Sequence, residues 1–219
     1  MSRPVDPHLR ERLIEAATAL FAERGFVETS MDAVGGRAGV TKGGVYFHFR
    51  SKEVLFFAAV DHWRRLLRAR LQAADTEAET GAGSLESAVA AWLRFHFERA
   101  DAARLLRVLA AELRGRFTAS LREDVREEQR GLRARLRQAL TRGGHDGTLF
   151  AGDPALAAFL IAGQLEGFVS QWLTSPQDAE PFQDPDALTE AICAPFATGA
   201  SRVGRSLLGD AGADFTPPL

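Results

Sequence analysis

The run Thr41-Lys42-Gly43-Gly44-Val45-Tyr46-Phe47-His48-Phe49, with Lys52 close behind, gathers side chains that donate hydrogen bonds to anions. Lys42 can donate to guanine O6 or N7 at a base edge. Thr41, Tyr46 and His48 can each donate to a phosphate oxygen. Gly43 and Gly44 carry no side chain, so the backbone there can come close to base edges. A glycine inside a helix costs roughly 0.5–1 kcal/mol relative to alanine, and such an approach is a reason to keep two in succession. Lys52, beside the open amides of a following helix, would make an anion site with the helix dipole. No comparable constellation points to catalysis. The histidines at 8, 48, 62, 96 and 145 show no metal-ligand spacing, and neither a Gly-x-Ser-x-Gly nor a phosphate-binding glycine loop occurs. The expectation is no catalytic residue, no metal and no cofactor.

These donors must be held by helices. Leu9, Leu13, Ala16, Ala17, Leu20 and Phe21 form one apolar stripe, which predicts a helix from Pro7 to about Arg24, ended by Gly25. Thr29-Ser30-Met31-Asp32 resembles a capping box and opens a short helix to about Ala38, stopped by Gly39. Thr41 caps a third helix, from Lys42 to about Phe49, and Ser51 a fourth. Two short helices around a glycine-containing turn, behind a longer helix, have the arithmetic of a helix-turn-helix. The second helix of such a unit enters the major groove N-terminus first. Val34, Val40, Val45 and Phe49 read as its core.

The rest is helical too, because Leu, Ala, Arg and Glu dominate and strand signals are few. A connector is expected over Asp75–Ser84, then helices at about 85–100, 102–114, 119–142, 154–174 and 186–208, with Pro195 interrupting the last. The Asp-Pro pairs at 6–7, 153–154 and 184–185 each supply an N-cap followed by a residue suited to the first helical position. The fold class is therefore all-α, with about nine helices. Three parts are expected: a helix-turn-helix DNA-binding domain over 1–52, a further helical domain over 53–208, and a frayed tail over 209–219.

The charge distribution agrees with this division. Residues 1–70 hold 12 Lys+Arg against 8 Asp+Glu, net +4, and residues 71–219 hold 15 against 21, net −6. The only two lysines, Lys42 and Lys52, lie in the first part. Phosphate contacts are thus expected from the N-terminal unit alone. One cysteine, Cys193, excludes an internal disulfide. The longest uncharged run, Pro154–Leu165, has twelve residues, against the ~20 that span a bilayer. With no apolar leader near the N-terminus, a cytoplasmic place without membrane contact is expected.

The segments LIEAATALFAERGFVETSMDAV, AGVTKGGVYFHF and SKEVL closely resemble the DNA-binding domain of the TetR (TetR/AcrR) family of bacterial transcriptional regulators, over about residues 8–60. The resemblance implies a three-helix DNA-binding domain joined by the fourth helix to a ligand-binding and dimerisation domain. It implies DNA contacts at Thr41, Lys42, Gly43, Tyr46, Phe47, His48 and Lys52, and phosphate contacts at Thr29 and Ser30. One departure is Gly35-Gly36, where the family keeps helix-favouring residues; together they should weaken the second helix by roughly 1–2 kcal/mol.

No motif marks residues 61–219. An apolar pocket with a few polar groups is the default effector site. Its candidate lining is Trp92, His96, Phe97 and Phe117, with Phe159, Gln164, Phe168 and Trp172 from the later helix. A dimer interface is expected from Ala155, Ala158, Ala162, Leu165, Glu166 and Val169, together with Leu188, Ile192 and Phe196. The leading expectation is a homodimeric, sequence-specific repressor that binds a pseudo-palindromic double-stranded operator and is released by a small, largely apolar effector. The alternatives are a DNA-binding protein whose second part serves only dimerisation or protein contact, and an enzyme.

Overall fold

The computed structural model describes residues 8–76, 78–112, 119–150, 152–179 and 182–198, with the side chains of 76, 107–112 and 119–125 left aside. Among these residues the chain forms α1 (Leu9–Glu28), α2 (Met31–Ala38), α3 (Lys42–His48), α4 (Lys52–Thr76), α5 (Gly81–Glu98), α6 (Ala100–Glu112), α7 (Ala119–Asp146), α8 (Pro154–Thr174), α9 (Pro176–Ala179) and α10 (Pro185–Cys193). A 3-10 turn follows at Ala194–Phe196, and the extended pairing is a lone bridge between Leu149 and Ala197. The all-α expectation holds.

Local chemistry sets most boundaries. Gly25 breaks α1 with φ 78 and ψ 174, so the helix turns there and the chain leads through Phe26 into α2. Ser30, rather than Thr29, caps α2, accepting from the Ala33 amide at 3.1 Å. Gly39 closes α2 at φ 72; its amide bonds the Gly36 carbonyl and the Val40 amide the Gly35 carbonyl, a Schellman ending. Asp153 and Asp184 cap α8 and α10 ahead of their prolines, as their spacing predicts. The first Asp-Pro pair lies outside the described residues.

One boundary differs from expectation for a tertiary reason, and another falls at the proline the sequence marked. The connector between α4 and α5 shrinks to 77–80, because α5 starts at Gly81. Its first amides are satisfied from afar: Gly81 N–H donates to Asp146 Oδ2 at 2.7 Å and Ala82 N–H to Thr148 Oγ1 at 3.1 Å. The final helix stops at Cys193, where Pro195 converts it to the 3-10 turn. The remainder of that expected helix, from 199, and the expected tail lie outside the described residues.

One continuous core joins the two parts. Phe21 and Phe26 of the first part pack on Phe56 of α4 at ring distances of 5.1 and 5.2 Å. Further along α4, Trp63 is 1% exposed and its indole N–H donates to Thr18 Oγ1 of α1 at 2.8 Å. Arg99, at the junction of α5 and α6, lies 3.7 Å over the Trp63 ring and pairs with Glu15 of α1 at 2.7 Å. The helix-turn-helix is thus clamped to the body through α1. On the far side, α7 grips α4 through the Arg64–Glu128 and Arg135–Asp75 ion pairs.

Candidate nucleic-acid interface

α3 is short and amphipathic. Val45 and Phe49 are buried, at 0% and 2% exposure, and fasten it to the core. Lys42, Gly43, Tyr46 and Phe47 are exposed, at the spacing i, i+1, i+4, i+5 that puts them on one face. Phe47 is 83% exposed, the barest of the large apolar side chains among the described residues. Such exposure of an aromatic beside a lysine is unexplained by folding and suits contact with a base or its methyl group. Thr41 caps the helix, its Oγ1 accepting from the Gly44 amide at 3.3 Å, which leaves its hydroxyl proton to donate outward. An added Cβ on Gly43 would meet only Thr41 Oγ1, at 3.9 Å, so this backbone faces open space. Gly44 is half-buried, its Cα side turned toward Val40. His48 is half-buried with its ring edge-to-face on Phe47 at 5.3 Å.

Three of the expected contacts are already engaged. Thr29 is 1% exposed, and its hydroxyl is directed at the carbonyls of Gly25 at 2.8 Å and Leu20 at 3.2 Å. It locks the end of α1 rather than facing a phosphate, whereas Ser30 beside it stays exposed. Lys52 Nζ bonds the Val27 carbonyl at 2.9 Å and lies 4.6 Å over the Phe26 ring, so the ammonium holds the turn after Gly25. Lys42 Nζ stands 3.1 Å from Asp32 Oδ2 of α2, and that carboxylate raises the lysine's pKa further. Arg50 is not among the expected contacts. It is exposed in the turn between α3 and α4, and a basic residue bordering the donor run was the available signal.

The expected effector residues fall into separate groups. Trp92 and His96 stack at 3.7 Å within α5, both buried. Phe97 meets Trp172 at 5.1 Å and Phe168 at 5.9 Å, edge-to-face, bridging α5 and α8. Phe159 is 60% exposed on the outer side of α8 with Arg133 at 5.8 Å over its ring, and Gln164 is exposed as well. Those two therefore do not reach the inner cluster, because α8 turns a different face to the body. Phe117 lies outside the described residues. A surface cleft of about 440 Å³ between α5 and α10, lined among others by Glu86, Arg94, Asp186 and Glu190, contains none of the eight.

His96 is buried against Trp92 and Phe95. Its Nδ1 donates to the Trp92 carbonyl at 2.8 Å, which leaves Nε2 as the acceptor of a neutral ring. Burial lowers its pKa from 6.5 to about 4. The unfolded chain therefore takes up a proton that the folded one refuses between those values. The stabilisation is complete above pH 6.5 and is lost as pH falls toward 4, by about 3 kcal/mol in all. Urea melts across this range should show that decline, and His96→Gln should flatten it.

The apolar stripe expected at a dimer interface is split. Ala158, Ala162, Leu165 and Val169 are buried within the chain, while Ala155 and Glu166 are exposed. Leu188, Ile192 and Phe196 are half-buried. The outward face of α8 is instead Leu156, Phe159, Leu160 and Gly163. By length and composition alone α8 is apolar enough to cross a membrane.

A three-helix unit that offers lysine, tyrosine and phenylalanine from one face of its last helix, set on an all-α body, defines a helix-turn-helix DNA-binding protein. Residues 13–59 match the family model described as bacterial regulatory proteins, tetR family. The first part of the chain is thus similar to the DNA-binding part of tetR-family regulators, which supports reading the protein as a DNA-binding regulator. The chain is 26% identical over 179 residues to the HTH-type transcriptional regulator TtgR of Pseudomonas putida, covering 78% of this chain and 83% of that one. It is 37% identical over 54 residues to the uncharacterised regulator YerO of Bacillus subtilis, a match that spans 25% of this chain and only 19% of YerO. Its fold is similar to that of SmeT in complex with triclosan, with a TM-score of 0.67, 23% identity, and 88% and 93% of the two chains covered.

Proposed function

We propose that this regulator is a cytoplasmic homodimeric repressor, bound to a pseudo-palindromic operator and released by a small, largely apolar effector. The observation that carries it is the outward face of α3, where Lys42, Gly43, Tyr46 and Phe47 stand exposed together. Leu156, Phe159 and Leu160, each more than half exposed on α8, supply an apolar patch suited to its own copy across a two-fold axis. Two such copies would present two α3 helices to successive turns of a duplex. The aromatic cluster of Phe97, Phe168 and Trp172 supports an apolar effector, and SmeT, of similar fold, is solved with triclosan. Arg99 and Trp63 connect that region to α1, so a shift of α5 or α6 would bias the DNA-competent arrangement. The proposed division at 52–53 separates tasks, while Phe56 carries the core of the DNA-binding part across it.

The test is selection of duplexes from a randomised library by the full-length protein, with sedimentation of the resulting complexes. One enriched half-site repeated about a helical turn apart, bound by two chains, is expected. Lys42→Gln should cut discrimination at one base position roughly tenfold, whereas Tyr46→Phe should weaken all sequences alike. Equal binding to enriched and scrambled duplexes at fixed salt would overturn the reading. Mass spectrometry of molecules released from the purified protein tests the effector.

A further inference from the structure

The chain has only two lysines, both in the DNA-binding part, and neither ammonium is idle. Lys52 is spent inside the fold. Lys42 is different, because its partner Asp32 is itself exposed, with side-chain exposures of 56% and 62% for the two. Asp32 has no role in the core. It occupies the second position of α2, where Ser30 fixes the start of the helix. α2 is pinned against α3 by the close approach of Gly35 to Val40 and Val45. The carboxylate is therefore held at a set distance from the first residue of α3.

A carboxylate on this face is costly near a polyanion, since it repels phosphate and cancels a cation that would otherwise attract one. An exposed ion pair returns little stability to the fold. We infer that Asp32 is a specificity-determining residue: it withholds Lys42 from the phosphate backbone and releases it to a guanine edge in the matching sequence. On a non-matching duplex the lysine finds no paired acceptors and stays with Asp32, so that complex lacks one phosphate contact. On the matching duplex guanine O6 and N7 together replace the carboxylate. Asp32 thus lowers indiscriminate binding more than operator binding.

This inference rests on α3 lying in the major groove, and the experiment separates the two. The full-length protein selects a duplex, and its affinity is compared with that for a scrambled duplex across a salt series. Failure of the wild type to enrich any duplex overturns the groove reading and the inference with it. Given enrichment, Asp32→Asn is expected to tighten scrambled binding roughly fivefold and to steepen its log–log salt slope by about 0.9 per DNA-binding unit. Operator affinity should change less, so the ratio of the two falls. In a Lys42→Gln background the same change should have no effect on the slope, and Asp32→Glu should keep the wild-type ratio. Asp32→Ser reports the same effect if the Asn variant does not fold. An unchanged ratio, a loss on both duplexes alike, or a slope change that persists without Lys42 would overturn the role of Asp32 while leaving groove binding intact.

Discussion

Gly81→Ala is expected to destabilise the body of the protein by about 3–5 kcal/mol, among the largest effects a single methyl group can have. A Cβ there would sit 2.0 Å from the Gly143 nitrogen, 2.2 Å from its Cα and 2.8 Å from the Ala139 carbonyl oxygen. All three are backbone atoms of α7, so no side chain can swing aside. Relief requires the start of α5 to move off the end of α7. That motion also breaks the Gly81–Asp146 and Ala82–Thr148 bonds, which satisfy the first amides of α5. Gly143 cannot retreat, because its other side is filled by Leu149. Thermal melts of the variant should show a midpoint far below wild type, or no cooperative transition at all.

Gly35→Ala and Gly36→Ala are expected to act in opposite directions, although the two residues are neighbours in α2. A Cβ on Gly35 would lie 2.9 Å from the Val40 carbonyl oxygen and 3.1 Å from Val45 Cγ2. It would lever α3 away from α2 at a cost of about 1–3 kcal/mol, offset in part by the better helix propensity of alanine. Because Val45 anchors the recognition face, operator affinity should fall by more than tenfold. A Cβ on Gly36 would meet nothing within 4 Å. There the propensity gain stands alone, about 0.5–1 kcal/mol of added stability with DNA binding retained. Paired denaturant melts and anisotropy titrations of the two variants check both signs. The weakness expected from this glycine pair is thus a packing requirement at one position and a removable cost at the other.

What could be read from the residues was whatever depends on near neighbours. The stripe from Leu9 to Phe21, the cap at Thr41, the Asp-Pro starts of α8 and α10 and the break at Pro195 all act within a turn or two, and all lie as expected. Lys42, Gly43 and Tyr46 could be named from their chemistry in the donor run, and Phe47 from the family resemblance; all four are exposed. What could not be read depends on distant partners. The hydroxyl of Thr29 serves α1, Lys52 reaches back 25 residues to Val27, and the amides of Gly81 and Ala82 are served from Asp146 and Thr148. The burial of part of the α8 stripe has a related reason. Small residues suit close helix contact wherever it occurs, and here Ala158 and Ala162 are buried within the chain itself.

The contact of Arg99 with both Trp63 and Glu15 bears on how such chains can be recombined. A graft of residues 1–52 onto a foreign body would bring the reading surface intact yet leave Phe21 and Phe26 without Phe56, and Thr18 without the indole that donates to it. A functional chimaera needs its seam beyond Trp63 and a host that supplies the guanidinium, so the smallest transferable module is larger than the part that touches the duplex.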